Sequence, residues 1–276
     1  MASLTEMIYS NDFADYLIPS YILNQEAFQL LSPEDYRGLM LNSQYASFYA
    51  RREGLSFSFQ SSYNAVPKLY MPLSTESLEF SGITRIQNQP ILDLTGRGVL
   101  VGFIDSGIDY THPAFLNLSG ETRILRLWDQ TVPSESFPVN FPYGTEYTRE
   151  QINRALSSGA PFSLVPSRDE TGHGTALAGI AAGSRNPAAE FTGAAPEAGI
   201  LAVKLKPAKQ YLREYFFASE QAQVYQENDI IAAFSYLIRT AEELKMPLIL
   251  CVALGTGQGG HSGSLPLSAV LNRYGD

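Results

Sequence analysis

Cysteine is almost absent. Cys251 is the only one in 276 residues, so no internal disulfide can form and the core must hold the fold. The fold therefore tolerates a reducing compartment, and a cytoplasmic or spore-type location is the default expectation. Positive charge is short: 19 Lys and Arg stand against 28 Asp and Glu, a net charge of -9. That balance speaks against nucleic acid or an anionic membrane surface as a partner. No apolar run reaches the roughly 18 residues of a membrane-spanning helix. The opening MASLTEMIYSNDFADY lacks the basic stretch and apolar block of a secretory leader. Histidine is scarce too, at His112, His173 and His261. With one cysteine and no HExxH or CxxC spacing, no metal site is expected. No phosphate loop of the G-x-x-x-x-G-K type occurs, which excludes the commonest nucleotide enzymes.

What is present suits a packed core. Hydrophobic residues make up 45% of the chain and charged residues 17%. Residues 1–85, aromatic-rich and poor in glycine turns, read as a small accessory segment, and residues 86–276 as the main domain. The alternative is that both belong to one domain. Within the first part, 32–54 is expected to contain helix, and LSFSFQSS at 55–62 alternates as an exposed strand does. Further on, VLVGFI at 99–104 is a buried strand closed by Asp105-Ser106-Gly107. A long polar loop is expected over 116–168, with helix signals at 148–156. Small residues at 173–182 suit a closely packed helix. ILAVKL at 200–205 and PLILCVAL at 247–254 are buried strands, and residues 228–244 carry a clear helical period with Asn228 as its cap. A helix is expected again near 266–276. Strands alternating with helices predict an α/β, three-layer sandwich around a mostly parallel sheet.

Asp105 is the first residue of chemical interest. A buried parallel strand cannot hide a charge, so Asp105 must lie at the carboxyl end, where such sheets place their sites. His173 is the second, because histidine is the usual base near neutral pH and here it stands between two glycines in GHGT. An Asp can accept a hydrogen bond from one ring nitrogen and leave the other to act as base. Alone, each residue is more often structural, His173 as a turn residue and Asp105 as a turn former or helix cap.

Together the motifs D-S-G-I-D-x-x-H-P at 105–113 and D-x-x-G-H-G-T at 169–175 resemble the subtilase family of serine peptidases, whose triad runs Asp, His, Ser. The resemblance covers about 83–276. It implies that Asp105 orients and His173 acts as general base. VALGTGQGG at 252–260 matches the family's substrate-pairing strand, which implies that Leu254 and Gly255 bind substrate backbone by strand addition. TRILRLWDQT, YQENDIIAAFSYLIRTAEEL and LGTGQGGHSG are similar to the Csp-type subtilases of spore-forming Firmicutes. In that group a peptidase activates a cortex-lytic enzyme during germination, and some members are pseudoproteases. The resemblance implies a protein or peptide substrate, a cytoplasmic or spore-associated location, and a prodomain role for residues 1–85.

The chain departs from the family in its nucleophile. The family serine lies in G-T-S-x-x-x-P, whereas the Gly-Thr pairs here continue as GTE at 144–146, GTA at 174–176 and GTG at 255–257. No G-x-S-x-G elbow occurs, and the oxyanion Asn has no match. The sequence therefore reads as an N-terminal portion of a longer subtilase, inactive alone, with its own C-terminal half as a candidate partner. Ser106 follows the acid, as Ser or Thr commonly does in the family. Ser262 and Ser264 beside His261 make a poor dyad on a substrate-side loop. Ala114 stands where many subtilases carry a calcium-binding Asp, so no cofactor or metal is implied, and Ala176 replaces a second family histidine. His112 and Pro113 shape the turn after the acid, Asp109 braces it, and Cys251 is expected to be a buried, inert thiol. Two other classes remain open: an inactive, regulatory pseudoprotease, and a non-peptidase α/β binding domain. The second predicts Asp105 and His173 far apart.

Overall fold

The computed structural model describes residues 2–24, 36–52, 65–72, 94–186, 191–259 and 262–274. The strand expected at 55–62 lies outside them. The chain opens with a helix, Leu4–Tyr9, started by a capping box: the Ser3 hydroxyl accepts from the Glu6 amide, and the Glu6 carboxylate accepts from the Ser3 amide. Strands β1 (Phe13–Pro19), β2 (Tyr36–Met40) and β3 (Tyr45–Arg51) form an antiparallel sheet in the order β1-β3-β2. The helix expected within 32–54 is thus a hairpin. Its turn is closed by Asn42 Oδ1, which accepts from the amides of Gln44 and Tyr45 at 2.8 and 2.9 Å. The aromatic side chains favour the pleated, half-buried surface over the helix. A short strand β4 follows at Leu69–Pro72.

The main sheet has five strands. They are β5 (Leu100–Asp105), β6 (Ile124–Asp129), β7 (Thr145–Thr148), β8 (Gly199–Lys204) and β10 (Leu248–Cys251), in the order β10-β5-β8-β6-β7. All neighbours are parallel except β7, which closes one edge antiparallel to β6. Two further strands, β9 (Tyr225–Gln226) and β11 (Leu254–Gly255), lie outside this sheet. The period of two sorts the side chains into layers. Leu100 and Ile104 of β5 and Leu201 and Val203 of β8 join one core with Ile230, Phe234 and Leu237 of the long helix Glu227–Leu244. Val101 and Phe103, with Ile200 and Ala202, join the other with Ile152 of helix Arg149–Leu156 and Leu177 and Ala178 of helix His173–Ala182. Helix, sheet and helix give the three layers expected. Each such Ile, Leu or Phe contributes about 1.5–3 kcal/mol by leaving water.

Three local expectations change. The stretch 116–168 is not one long loop: it holds β6, β7, the helix Arg149–Leu156, and Trp128, which is fully buried against Phe141 and Tyr143. The strand expected at 247–254 splits, because Leu254–Gly255 leaves the main sheet to pair with β4. Asn228 is not the cap of its helix. The helix starts after Gln226, and the Asn228 side chain donates instead to Asp15 Oδ2 and Ser47 Oγ.

That last contact belongs to a buried polar seam between the first sheet and the elements that follow it, Lys206, Lys209 and the start of the long helix. Lys209 pairs with Asp15 and donates to the Met7 carbonyl at 2.8 Å. Gln226 donates to Asp15 Oδ2 at 2.8 Å, and Lys206 pairs with Asp229 at 2.7 Å. Met7, Phe13, Leu17 and Tyr49 share one hydrophobic core with the long helix, so apolar and ionic contacts cross the junction together.

Candidate active site

Strand β5 delivers Asp105 to its carboxyl end with 1% of its surface exposed. The next turn brings in Ser106, whose amide donates to Asp105 Oδ1 at 2.7 Å. His173 begins the helix His173–Ala182, and its Nδ1 lies 2.8 Å from Asp105 Oδ1. The separation expected of an unrelated α/β binding domain is not found.

The glycines on either side of His173 have distinct tasks. Gly172 sits at φ 77°, in the left-handed region, which turns the chain into the helix. Gly174 lets two backbones meet: a Cβ there would stand 2.1 Å from the Gly107 carbonyl and 3.0 Å from Asp105 Cβ. Any side chain would push the helix off the end of β5.

A second carboxylate, Asp169, ties the two halves together. Its Oδ1 accepts from the Ser106 hydroxyl at 2.8 Å and the Gly172 amide at 3.0 Å. Its Oδ2 accepts from the Thr175 amide at 2.8 Å and the Thr175 hydroxyl at 2.7 Å. Ser106 Oγ in turn accepts from the Gly174 amide at 3.1 Å, and Thr175 Oγ1 from the Asp109 amide at 2.9 Å. Burial opposes the charge on Asp169, but these donors outweigh it and hold the carboxyl below its usual range. Lys204, opposite Asp105 in the ladder, braces the same loop through the Arg168 carbonyl at 2.7 Å and Glu170 at 2.8 Å.

Leu254 and Gly255 form β11 and pair with β4. Strand β4 lies between β9 and β11, antiparallel to both, with Pro72 opposite Leu254, Met71 opposite Gly255, Tyr70 opposite Tyr225 and Leu69 opposite Gln226. The Gln258 side chain accepts from the Leu69 amide at 3.1 Å. Burial pushes the Tyr225 hydroxyl well up, and the charges of Asp105, Asp169 and Glu170 push it further. Cys251, three residues before β11, is likewise pushed up by burial and then by Asp105. The thiol is half-buried rather than fully buried, because β10 is an edge strand of the main sheet.

Other sequence expectations resolve simply. His112 caps the short turn Pro113–Phe115 by accepting from the Ala114 amide, and Asp109 braces its loop through the Thr111 amide and hydroxyl. The Ser262 and Ser264 hydroxyls bond to each other, while His261 lies outside the described residues. Neither the part played by Asp169 nor the pairing of β4 with β9 and β11 is evident from the sequence. Asp169 was within the quoted motif, and its repeated hydroxyl neighbours were the available signal.

Known proteins share this arrangement in part. Residues 96–262 match the profile of the subtilase family. Subtilisin-like protease SBT2.2 of Arabidopsis thaliana is 29% identical over 110 residues, covering 37% of this chain and 13% of that protein. Subtilisin-like protease SBT2.1 of the same plant is 31% identical over 107 residues, covering 33% and 12%. The solved structure of the Clostridium perfringens CspB protease aligns at 33% identity and a TM-score of 0.57, covering 70% of this chain and 36% of that one. The matched regions are thus a minor part of each relative's length. With the family profile spanning more than half of the sequence, the chain belongs to the subtilase family and resembles its Csp-type members.

Proposed function

We propose that this chain supplies the acid, the base and the substrate groove of a subtilisin-like serine endopeptidase. The observation that carries the reading is the contact of 2.8 Å between His173 Nδ1 and a buried Asp105 oxygen. Asp105 fixes the imidazole so that Nδ1 carries its proton and Nε2 can accept one. His173 then takes the proton of a serine hydroxyl as it attacks the scissile carbonyl, and returns it to the leaving amine. Asp105 stabilises the imidazolium between those steps without itself taking the proton. None of the chain's Gly-Thr pairs continues into serine, so on this reading the nucleophile and oxyanion donors are supplied from outside these 276 residues.

Leu254-Gly255 and Tyr225–Gln226 hold the substrate as an added strand, recognising its backbone whatever its side chains. Residues 1–85 act as a prodomain. Their strand β4 rests in this groove as a substrate would, while Asp15 and its neighbours anchor the sheet behind it.

Labelling of the full-length protein with a fluorophosphonate tests the reading. Wild type is expected to label and His173→Ala to lose at least about 100-fold in rate, the scale of general-base catalysis. Equal labelling of both, or labelling of neither, refutes the triad.

A further inference from the structure

An added strand is recognised first through its backbone, so selectivity must come from side chains that leave the ladder. Tyr70 is such a side chain. It is 6% exposed and shares a core with Leu254, Leu267, Ile230 and Ile231. Its hydroxyl donates to Glu227 Oε1 at 3.4 Å. Glu227 is a fully buried carboxylate, which is unusual beneath a peptide-binding strand.

Glu227 is held from three sides. Its Oε1 also accepts from the Leu267 amide at 3.2 Å, in the first turn of helix Pro266–Tyr274. Its Oε2 accepts from the Lys68 amide at 3.3 Å, and its own amide donates to the Lys68 carbonyl at 2.9 Å. Of these donors the Leu267 amide lies outside the added strand and stays in place when the strand is exchanged, and the carboxylate has lone pairs to spare for another donor. A phenol suits this place on both counts: the ring meets apolar neighbours and the hydroxyl meets the oxygen. Phenylalanine keeps the ring but leaves the acceptor short of a partner. An aliphatic side chain leaves space as well, and an acidic one brings like charges together.

We propose that the groove between β9 and β11 selects peptides bearing tyrosine two residues before the one opposite Leu254, with Glu227 as the specificity-determining residue. This rests on the reading of the groove as the substrate channel. β4 is then a resident copy of a preferred ligand, and the peptide class selected has the form Tyr-x-Pro or a close variant.

The test uses the full chain with Tyr70→Ala, which weakens its own strand. Fluorescein-labelled VPKLYMP, the sequence of residues 66–72, is titrated by fluorescence anisotropy beside peptides with Phe or Ala in place of Tyr. The Tyr peptide is expected to bind about tenfold or more tighter than the Ala peptide and about three- to fivefold tighter than the Phe peptide. In a Glu227→Gln background the Tyr-over-Phe ratio falls toward one. Equal affinity of all three peptides overturns the tyrosine subsite and leaves the groove standing. No binding of any peptide up to about 1 mM overturns both. Hydrogen exchange of the residue 69–71 amides in the milder Tyr70→Phe chain covers the case in which the alanine variant does not fold. Exchange about three- to fivefold faster than wild type is expected there, and an unchanged rate overturns the proposal.

Discussion

Gly174→Ala is the sharpest perturbation available at the Asp–His pair. The new methyl group would lie 2.1 Å from the Gly107 carbonyl oxygen and 3.0 Å from Asp105 Cβ. Ordinary contacts of this kind sit at about 3.5 Å, so helix and strand must part by more than about 1 Å. Both obstacles are backbone or the first carbon of a buried side chain, and neither can swing aside. Overpacking of this sort costs about 1–3 kcal/mol. Losing the bond of 2.8 Å between His173 and Asp105 adds to that. For a protein of this size, melting should fall by roughly 2–4 °C per kcal/mol, or about 2–12 °C from the overpacking alone. Proton NMR reads the site itself, since an imidazole N–H held by a carboxylate resonates far downfield and should vanish in the variant. Gly179→Ala is the control on the same helix, where a Cβ meets nothing within 4 Å among the described residues. It should keep the resonance and gain about 0.5–1 kcal/mol from helix propensity. A Gly174→Ala protein that keeps both the resonance and the wild-type melting temperature would refute the close-approach argument.

Two further outcomes test the surroundings. Asp169→Asn should broaden or shift the same downfield resonance, because it removes an acceptor from the Thr175 and Ser106 hydroxyls. The folded protein holds the Asp169 carboxyl low, so its stabilisation is present above the unfolded value near 3.9 and is lost as pH falls through the folded value. The variant should therefore show a flatter acid limb in a stability–pH profile, and an unchanged limb counts against the clamp. Lys209→Met should cost about 3–5 kcal/mol in urea unfolding by stranding the buried Asp15, and Asp15→Leu in the same chain should restore most of it. A single variant as stable as wild type would show that the seam is not dry.

The Asp105 strand end and the His173 turn were readable because each is local. A six-residue apolar run closed by Asp, and a histidine between glycines, carry their geometry in adjacent residues. The layers were readable for the same reason, through the periods of strand and helix. The strand pairing around β4 was only half legible. Leu254-Gly255 followed from resemblance, but β9 and β11 are two residues long and have no period to detect. The partner β4 lies 157 positions from Glu227, as the Tyr70 contact measures it, and nothing local announces that pairing. The polar start of the long helix misled for a related reason. Gln226, Glu227, Asn228 and Asp229 look solvent-facing, yet all are buried because Asp15, Lys206 and Lys68 arrive from elsewhere.

The tether on β4 has a consequence for any outside ligand. A strand joined to the same polypeptide as its groove is present at an effective concentration on the order of millimolar, however dilute the protein. A free peptide at micromolar concentration with equal intrinsic affinity would then hold the groove only about a thousandth of the time. Occupancy by such a peptide would rise steeply once the chain between β4 and the main domain was cut, with no change at a single contact. On the proposed reading of the groove, one backbone break at a distance would act as a switch on access.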